Sequence, residues 1–522
     1  MNRFALFIFL AVLVFVDAQN ITACNGTIEI NYSNETYWYP YKFSTDQYNP
    51  KIPKFPMGFN CEYQINVPAD YFAQISLTVV TARDKGQAPV QISDNVSGTE
   101  GLFSVTEMLV FFISPGGSIK LATGTENLQF GFFVNWKPYI TDTPIRRSLS
   151  PSDRQPVVIE TPGNSSAIVV SDDKIIAYIY PLNEYISPPL SKYERVYRGT
   201  FIFDGPTTNS PCIGTAWPFL RNGTMIKSSG KYLTIQFFYL ESSSNPYISI
   251  QIVAQDYESN KDITRFQTFS CDLYGTCGTI QLDASNGPVA LQTYSPVNFP
   301  WRTSKSVDII VSLNTSDTLE VYGGGICESN LIASYSPDYD PTTLPQNFWG
   351  TFKTYVLRKG RASLNYTNRA GGRFSITTVP RKGFITSYNY GFKTNDQAME
   401  AVLSNTDYNI TRKFSFQVRD MDLVDTAYLR VHGYGWEWDD SQGMMVFTRV
   451  YAKTYGLQYP PTPGQVDVFE GAILEVIFYT LNQSTAYDNK GFYANFTVED
   501  VKQGTAPIGI LSVLLFIALW LF

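Results

Sequence analysis

Histidine is the scarcest resource in this sequence: His432 is the only one among 522 residues. One imidazole cannot build a zinc triad or an HExxH metalloprotease helix. A Ser-His-Asp triad would have to recruit His432, which sits in LRVHGYG, a strand-to-turn pattern where a packing or edge role is expected. Charge is also scarce, at 16% of residues with a net charge of -7 and no basic stripe. Nucleic acid is therefore not an expected partner. No internal segment keeps an apolar period of 3.6 with caps, so little helix is expected away from the two apolar ends. There is no GxSxG elbow and no phosphate-cradling loop; Gly323-Gly324-Gly325 runs into Ile326-Cys327-Glu328 and reads as a turn. SDDK (171–174) and SSGK (228–231) match Ser-x-x-Lys formally, but both stand beside strands and neither opens a helix.

The sequence is rich in aromatics, at 15%, with 35 Tyr and 36 Phe. Such residues suit pleated, half-buried strands. The apolar runs lie at the ends. Phe4 to Val16 follows Arg3, and Val16-Asp17-Ala18 fits a small-residue cleavage site, so residues 1–18 read as a signal peptide with Gln19 as the mature start. Residues 508–522 (IGILSVLLFIALWLF) are uncharged and would rise about 22 Å as a helix, short of a bilayer core. This tail reads as a GPI-attachment signal, favoured over a short transmembrane helix. The expected location is the extracellular face of the plasma membrane. Twelve Asn-x-Ser/Thr sequons, at Asn20, Asn25, Asn31, Asn34, Asn95, Asn164, Asn222, Asn314, Asn365, Asn409, Asn482 and Asn495, predict an exposed, glycosylated surface. Six cysteines behind a signal peptide predict disulfides. Cys24 and Cys61 stand alone in the first quarter and are expected to pair. Cys212, Cys271, Cys277 and Cys327 allow three connectivities, which stay open. Their spacing matches no zinc pattern.

Three landmarks recur in fixed order. A strand running into a turn appears at 88–95, 200–205, 318–324 and 427–433. A glycine followed by alternating apolar residues appears at 117–123, 230–238, 360–368 and 471–480. A closing strand appears at 130–136, 247–254, 372–379 and 491–498. Period-two alternation argues for strands, and the order argues for four repeats of one β-domain. The modules are placed at 20–140, 157–256, 271–380 and 382–499, with a Pro-, Ser- and charge-rich linker at 141–156. Arg146-Arg147 within it reads as a solvated linker or a processing site.

The first module resembles the nematode CUB-like domain, on the motifs CNGTIEINYSNETYWYP, NCEYQINVPADYFAQISL and GSIKLATGTENLQFGFFVNW. The resemblance is weaker over the fourth module and weakest over the second and third. It implies a jelly-roll β-sandwich, so the fold class is all-β: tandem CUB-like sandwiches, with apolar helical segments at both termini. It also implies secreted or surface proteins, several tied to intestinal defence. Many CUB domains carry a second disulfide and a calcium site built from a Glu and two Asp. Here APVQISDN lacks the usual preceding Asp, and Asp317 and Asp425 read as turn residues. No metal and no cofactor is expected.

The densest functional candidate is the loop GYGWEWDDSQG (433–443). Trp436 and Trp438 offer flat faces for sugar rings, while Glu437, Asp439 and Asp440 offer acceptors for hydroxyls or a cation. The rival reading packs both tryptophans inward. The expected function is binding or adhesion at an epithelial surface, related to innate immune defence, toward a glycan or protein ligand. A glycoprotein coat is the alternative. A carboxylate glycosidase is a further one and needs two carboxylates about 5 to 10 Å apart in one cleft.

Overall fold

A computed structural model describes residues 24–44, 51–139, 143–149, 156–159, 166–180, 190–238, 251–269, 276–294, 307–367, 373–391, 398–423, 427–480 and 490–501, isolated positions excepted. The signal peptide, the apolar tail, Asn20, Asn25, Asn164, Asn482 and Cys271 lie outside the described residues, as does the Cys277 side chain. The chain is all-β, with 37 strands among the described residues. They form eight sheets in four pairs, and each pair has one strand order.

The fourth pair displays that order. Its five-stranded sheet runs Arg373–Ser375, Met399–Ser404, Ile473–Thr480, Ala427–Asp439, Met444–Gly456. Its four-stranded sheet runs Arg381–Thr386, Gly491–Asp500, Arg412–Asp422, Asp467–Gly471. In every pair the first strand of the five-stranded sheet lies parallel to its neighbour: Gly26–Ile30 on Asn60–Asn66, Ile145–Ser148 on Ser166–Val170, Arg265–Phe269 on Val289–Tyr294, and Arg373–Ser375 on Met399–Ser404. The other pairings whose register is described are antiparallel, as expected of sandwiches whose inner faces alternate with outer ones.

These ladders correct several expectations. Ile145–Ser148 is a strand of the second sandwich and not part of a linker, with Arg146 and Arg147 exposed on it. Arg265–Phe269 precedes residue 271 yet opens the third sandwich. Residues 372–379 do not close the third sandwich; Arg373–Ser375 opens the fourth, and Arg361–Thr367 is the closing strand. Phe352–Leu357 takes the place expected for residues 360–368. Alternation cannot tell adjacent strands apart, so the landmarks slipped by one strand where no linker marks the boundary. Two short helices also appear in the second sandwich, Leu190–Arg198 and Ala216–Asn222. The second ends on Gly223 at φ 60°, a left-handed cap that favours glycine.

The chain divides into two compact units, with the main boundary in sequence between Ala254 and Gln255. In the first, Tyr63, Ile75, Leu77, Phe130 and Phe132 fill the first sandwich, and Cys24 is bonded to Cys61. Its two sandwiches meet through Phe72, Phe111 and Ile113 against Phe201, Phe203 and Phe238, with Phe72 stacked on Phe238 at 4.3 Å. Beside this seam the Arg198 guanidinium grips Glu100 at 2.6 and 2.7 Å. Such a two-pronged pairing is the strong form of a charged hydrogen bond. Cys212 and Cys327 are free thiols and not disulfide partners, and burial pushes the Cys212 thiol up to about 12.

In the second unit, Phe348, Phe384 and Tyr493 join the third and fourth sandwiches, and Gln346 donates to the Phe384 carbonyl at 2.9 Å. Deep in the third sandwich, Lys353 donates to Asp308 at 3.0 Å, both side chains fully buried. The Tyr366 and Tyr355 hydroxyls also donate to Asp308, at 2.6 and 3.0 Å, as does Thr293. Burial pulls the Lys353 pKa down while Asp308 opposes it. A buried charge stripped of its partner is expensive. Asp308→Ala is expected to cost about 3–5 kcal/mol in chemical denaturation, and pairing it with Lys353→Met should recover most of that loss.

Candidate functional site

The candidate loop is not a loop. Residues 433–439 continue the strand Ala427–Asp439, which turns at 440–443 and returns as Met444–Gly456. The two strands form a ribbon of thirteen residues each, about 40 Å long at ordinary strand rise. Asp439 shapes the turn: its Oδ1 accepts from the Ser441 amide at 2.8 Å, the Ser441 hydroxyl at 2.6 Å and the Gln442 amide at 3.3 Å. These donors, the Ser441 hydroxyl first, hold its carboxyl below the usual range. Asp439 is thus occupied in making the turn.

The ribbon leaves the core in a readable way. Leu429 and Val431 face inward and are fully buried. Gly433 continues that face, and a Cβ there would lie 2.4 Å from the Phe469 ring. Phe469 in turn stacks on Tyr451 at 4.7 Å and on Phe414 at 5.2 Å. Asp467, two residues earlier, accepts from Lys453 at 2.6 Å, from Gln465 at 3.0 Å and from Tyr455. Burial alone would raise the Asp467 pKa, but Lys453 and Tyr455 outweigh it and hold it below its ordinary value. The base of the ribbon is therefore clamped by a ring and a carboxylate.

Beyond Gly435, which is still buried against the Gly471–Ala472 backbone, no core remains beneath. Trp436 is 37% exposed and Trp438 60% exposed. Register places Trp436 opposite Phe447 and Trp438 opposite Met445, so these four share one face. Met445 and Phe447 are 46% and 41% exposed. Phe447 meets Trp436 edge-on at 5.4 Å and continues toward Tyr434, stacked at 6.3 Å. Tyr434 donates to Glu475 at 2.9 Å, and His432 Nδ1 lies 3.0 Å from the same oxygen. His432 thus has a supporting place at the foot of the aromatic face.

The structure brings Trp436 and Trp438 together and separates them from two of the three acids. Glu437 and Asp439 alternate onto the opposite face, opposite Val446 and Met444, and Asp440 sits in the turn. The rival reading that buries both tryptophans fails. Met444, Met445, Phe447 and Arg449 were missed as site residues. Their signal was present: MMVFTRVYAKTYG alternates beyond Gly443 just as AYLRVHGYGWEWD does before it. Elsewhere, a cleft of about 330 Å³ beside the first unit's seam is lined by Glu100, Arg198, Trp217 and Arg221. Among the described residues no group of three His, Cys, Asp or Glu is placed to hold a metal ion, and no helix is long and apolar enough to cross a membrane.

With the sandwiches and the ribbon in view, the class is a chain of repeated β-sandwiches of one strand order. The first of them, residues 19–140, matches the CUB-like domain family and is a CUB-like domain. Residues 148–238 and 258–369 match two domains of unknown function, DUF7592 and DUF7591. No curated protein matches the chain. Among solved structures it is similar to the CUB1-EGF-CUB2 domains of rat MASP-1, at 12% identity over 44% of this chain and 100% of that one, with a TM-score of 0.17. The corresponding domains of human MASP-1/3 give 11% identity over 66% and 99%, also with a TM-score of 0.17. Likenesses at that level carry no functional argument. The CUB-like family itself points to a non-enzymatic, extracellular binding module.

Two outcomes test the clamp. Gly433→Ala must displace the Phe469 ring and is expected to lower stability by about 1–3 kcal/mol in thermal or chemical denaturation. The Asp467 contribution is fully present above the unfolded carboxylate value of about 4 and is lost as pH falls through the lowered folded value. The melting-temperature gap between wild type and Asp467→Asn should therefore hold above about pH 5 and narrow progressively as pH falls below about 4.

Proposed function

We propose that this protein is a secreted, glycosylated, membrane-attached surface protein that acts by adhesion, and that the aromatic ribbon of its fourth sandwich is the contact surface. One observation carries this reading. Five large apolar residues, Trp436, Trp438, Met444, Met445 and Phe447, are exposed on a ribbon that has left its core. Aromatic residues, Met and Arg are the types enriched at the centres of protein interfaces. The ligand favoured is therefore a protein. Sugar recognition would need polar acceptors beside the rings, and Glu437 and Asp439 lie on the other face.

Glycosylation is supported by exposure. Asn31, Asn34, Asn95, Asn222, Asn314, Asn365 and Asn409 are exposed, and Asn495 is half-buried. None of the sequons falls on the ribbon strands. Membrane attachment and secretion rest on the two apolar ends of the sequence, and a defence role at an epithelial surface rests on the family resemblance.

Trp438 is the probe of choice, because it is the more exposed ring and truncating it disturbs no core. Trp438→Ala is expected to weaken binding of the secreted protein to cells by about 2 kcal/mol, near thirtyfold, with its melting temperature unchanged. Unchanged cell binding would sink the ribbon as the contact surface. Release from cells by a phosphatidylinositol-specific lipase is the expected outcome for the anchor, and retention would favour a short membrane helix.

A further inference from the structure

Met444–Gly456 is the outer strand of its sheet. Among the described residues, only Ala427–Asp439 and the Gly456–Tyr459 bridge pair with it. The strands in the same position of the other three sandwiches have five, four and five residues. This one has thirteen. From Met444 to Thr448 it contains no charge and no proline. Natural sheets keep such edges short or charged, because a bare edge is a template for another strand. Here the edge is long, its outer segment Met444–Thr448 is uncharged, and it borders the exposed Trp436 and Trp438.

The charges say what covers it. Glu437, Asp439 and Asp440 cluster at the tip, while Arg430 and Arg449 lie toward the base, where Lys453 is already paired with Asp467 of its own copy. The ribbon is therefore negative at one end and positive at the other. Two such ribbons laid parallel would superpose like charges. Laid antiparallel, each acidic tip meets the other's basic base. Antiparallel pairing of two identical strands also generates a two-fold axis, the commonest closed symmetry of soluble assemblies. With that axis through Phe447, the two Phe447 rings face each other, and Val446 faces Thr448. Met445 faces Arg449, so no like charges stand opposite.

We propose that the occupant of this ribbon is a second copy of the chain, with the two Met444–Gly456 edges paired antiparallel about an axis through Phe447, so that adhesion is homophilic. The proposal rests on the ribbon being the contact surface and adds the identity of the partner. Copies held on facing membranes would gain further by multivalency, which turns modest pair affinity into firm attachment.

The secreted full-length protein tests this by sedimentation velocity up to about 100 µM, where even weak pairing registers. A concentration-dependent dimer is expected. Phe447→Glu should weaken it at least tenfold with an unchanged circular dichroism spectrum. Opposed residues of an antiparallel pair have Cα atoms about 4.5 to 5.5 Å apart, within disulfide range. Phe447→Cys should therefore give a covalent dimer on non-reducing gels that the wild type lacks. Beads coated with the wild type should cluster, and beads coated with Phe447→Glu should not. A monomer throughout the range together with unclustered beads overturns the proposal, as does a dimer indifferent to Phe447→Glu. If the wild type stays monomeric while Trp438→Ala still loses cell binding, homophily fails and the ribbon stands, with another protein as its ligand.

Discussion

Phe469 packed against the bare backbone of Gly433 is the contact on which the fourth sandwich's outer architecture depends. It is where the ribbon stops being half of a core and becomes a free-standing pair of strands. A two-stranded ribbon alone is marginal in water. This one is held at its base, by Phe469 between Tyr451 and Phe414 and by Asp467 receiving Lys453 and Tyr455. The clamp uses both sheets, since Phe469 and Asp467 come from the four-stranded one. An aromatic face can therefore project without a core under it.

Elsewhere, the same sandwich pattern is filled by different chemistry. The first copy has a disulfide, Cys24–Cys61, and a wall of stacked aromatics. The third copy has a fully buried lysine–aspartate pair surrounded by hydroxyl donors. The second copy carries two short α-helices, Leu190–Arg198 and Ala216–Asn222. A fixed strand order sets which residues face inward and leaves open how the inside is satisfied. That freedom lets distant sequences keep one topology.

Function follows from where the copies differ. Among the described residues, only the fourth has a thirteen-residue outer strand, and only there does a dense group of aromatic and methionine side chains stand in solvent on a single ribbon. A sandwich that merely repeated its neighbours would end at residue 433 with a short turn. The extra length costs exposed apolar surface, which soluble proteins rarely keep without a partner.

Much of this was legible in the residues themselves. Alternating apolar positions, recurring turns and the aromatic content set an all-β chain of repeated sandwiches, because a side-chain period of two suits only a pleated strand with one face buried. The CUB-like motifs of residues 20–139 were legible, as were Trp436 and Trp438 as a site worth weighing. Tertiary structure decided what local sequence cannot hold. It assigned Arg373–Ser375 and Ile145–Ser148 to their sheets, since alternation does not say which neighbour a strand will pair with. It left Cys212 and Cys327 unpaired, since disulfides need proximity that cysteine counts do not supply. And it turned a presumed loop into a ribbon with its rings on one face and its acids on the other, because that division depends on register across two strands and on where the core beneath them ends.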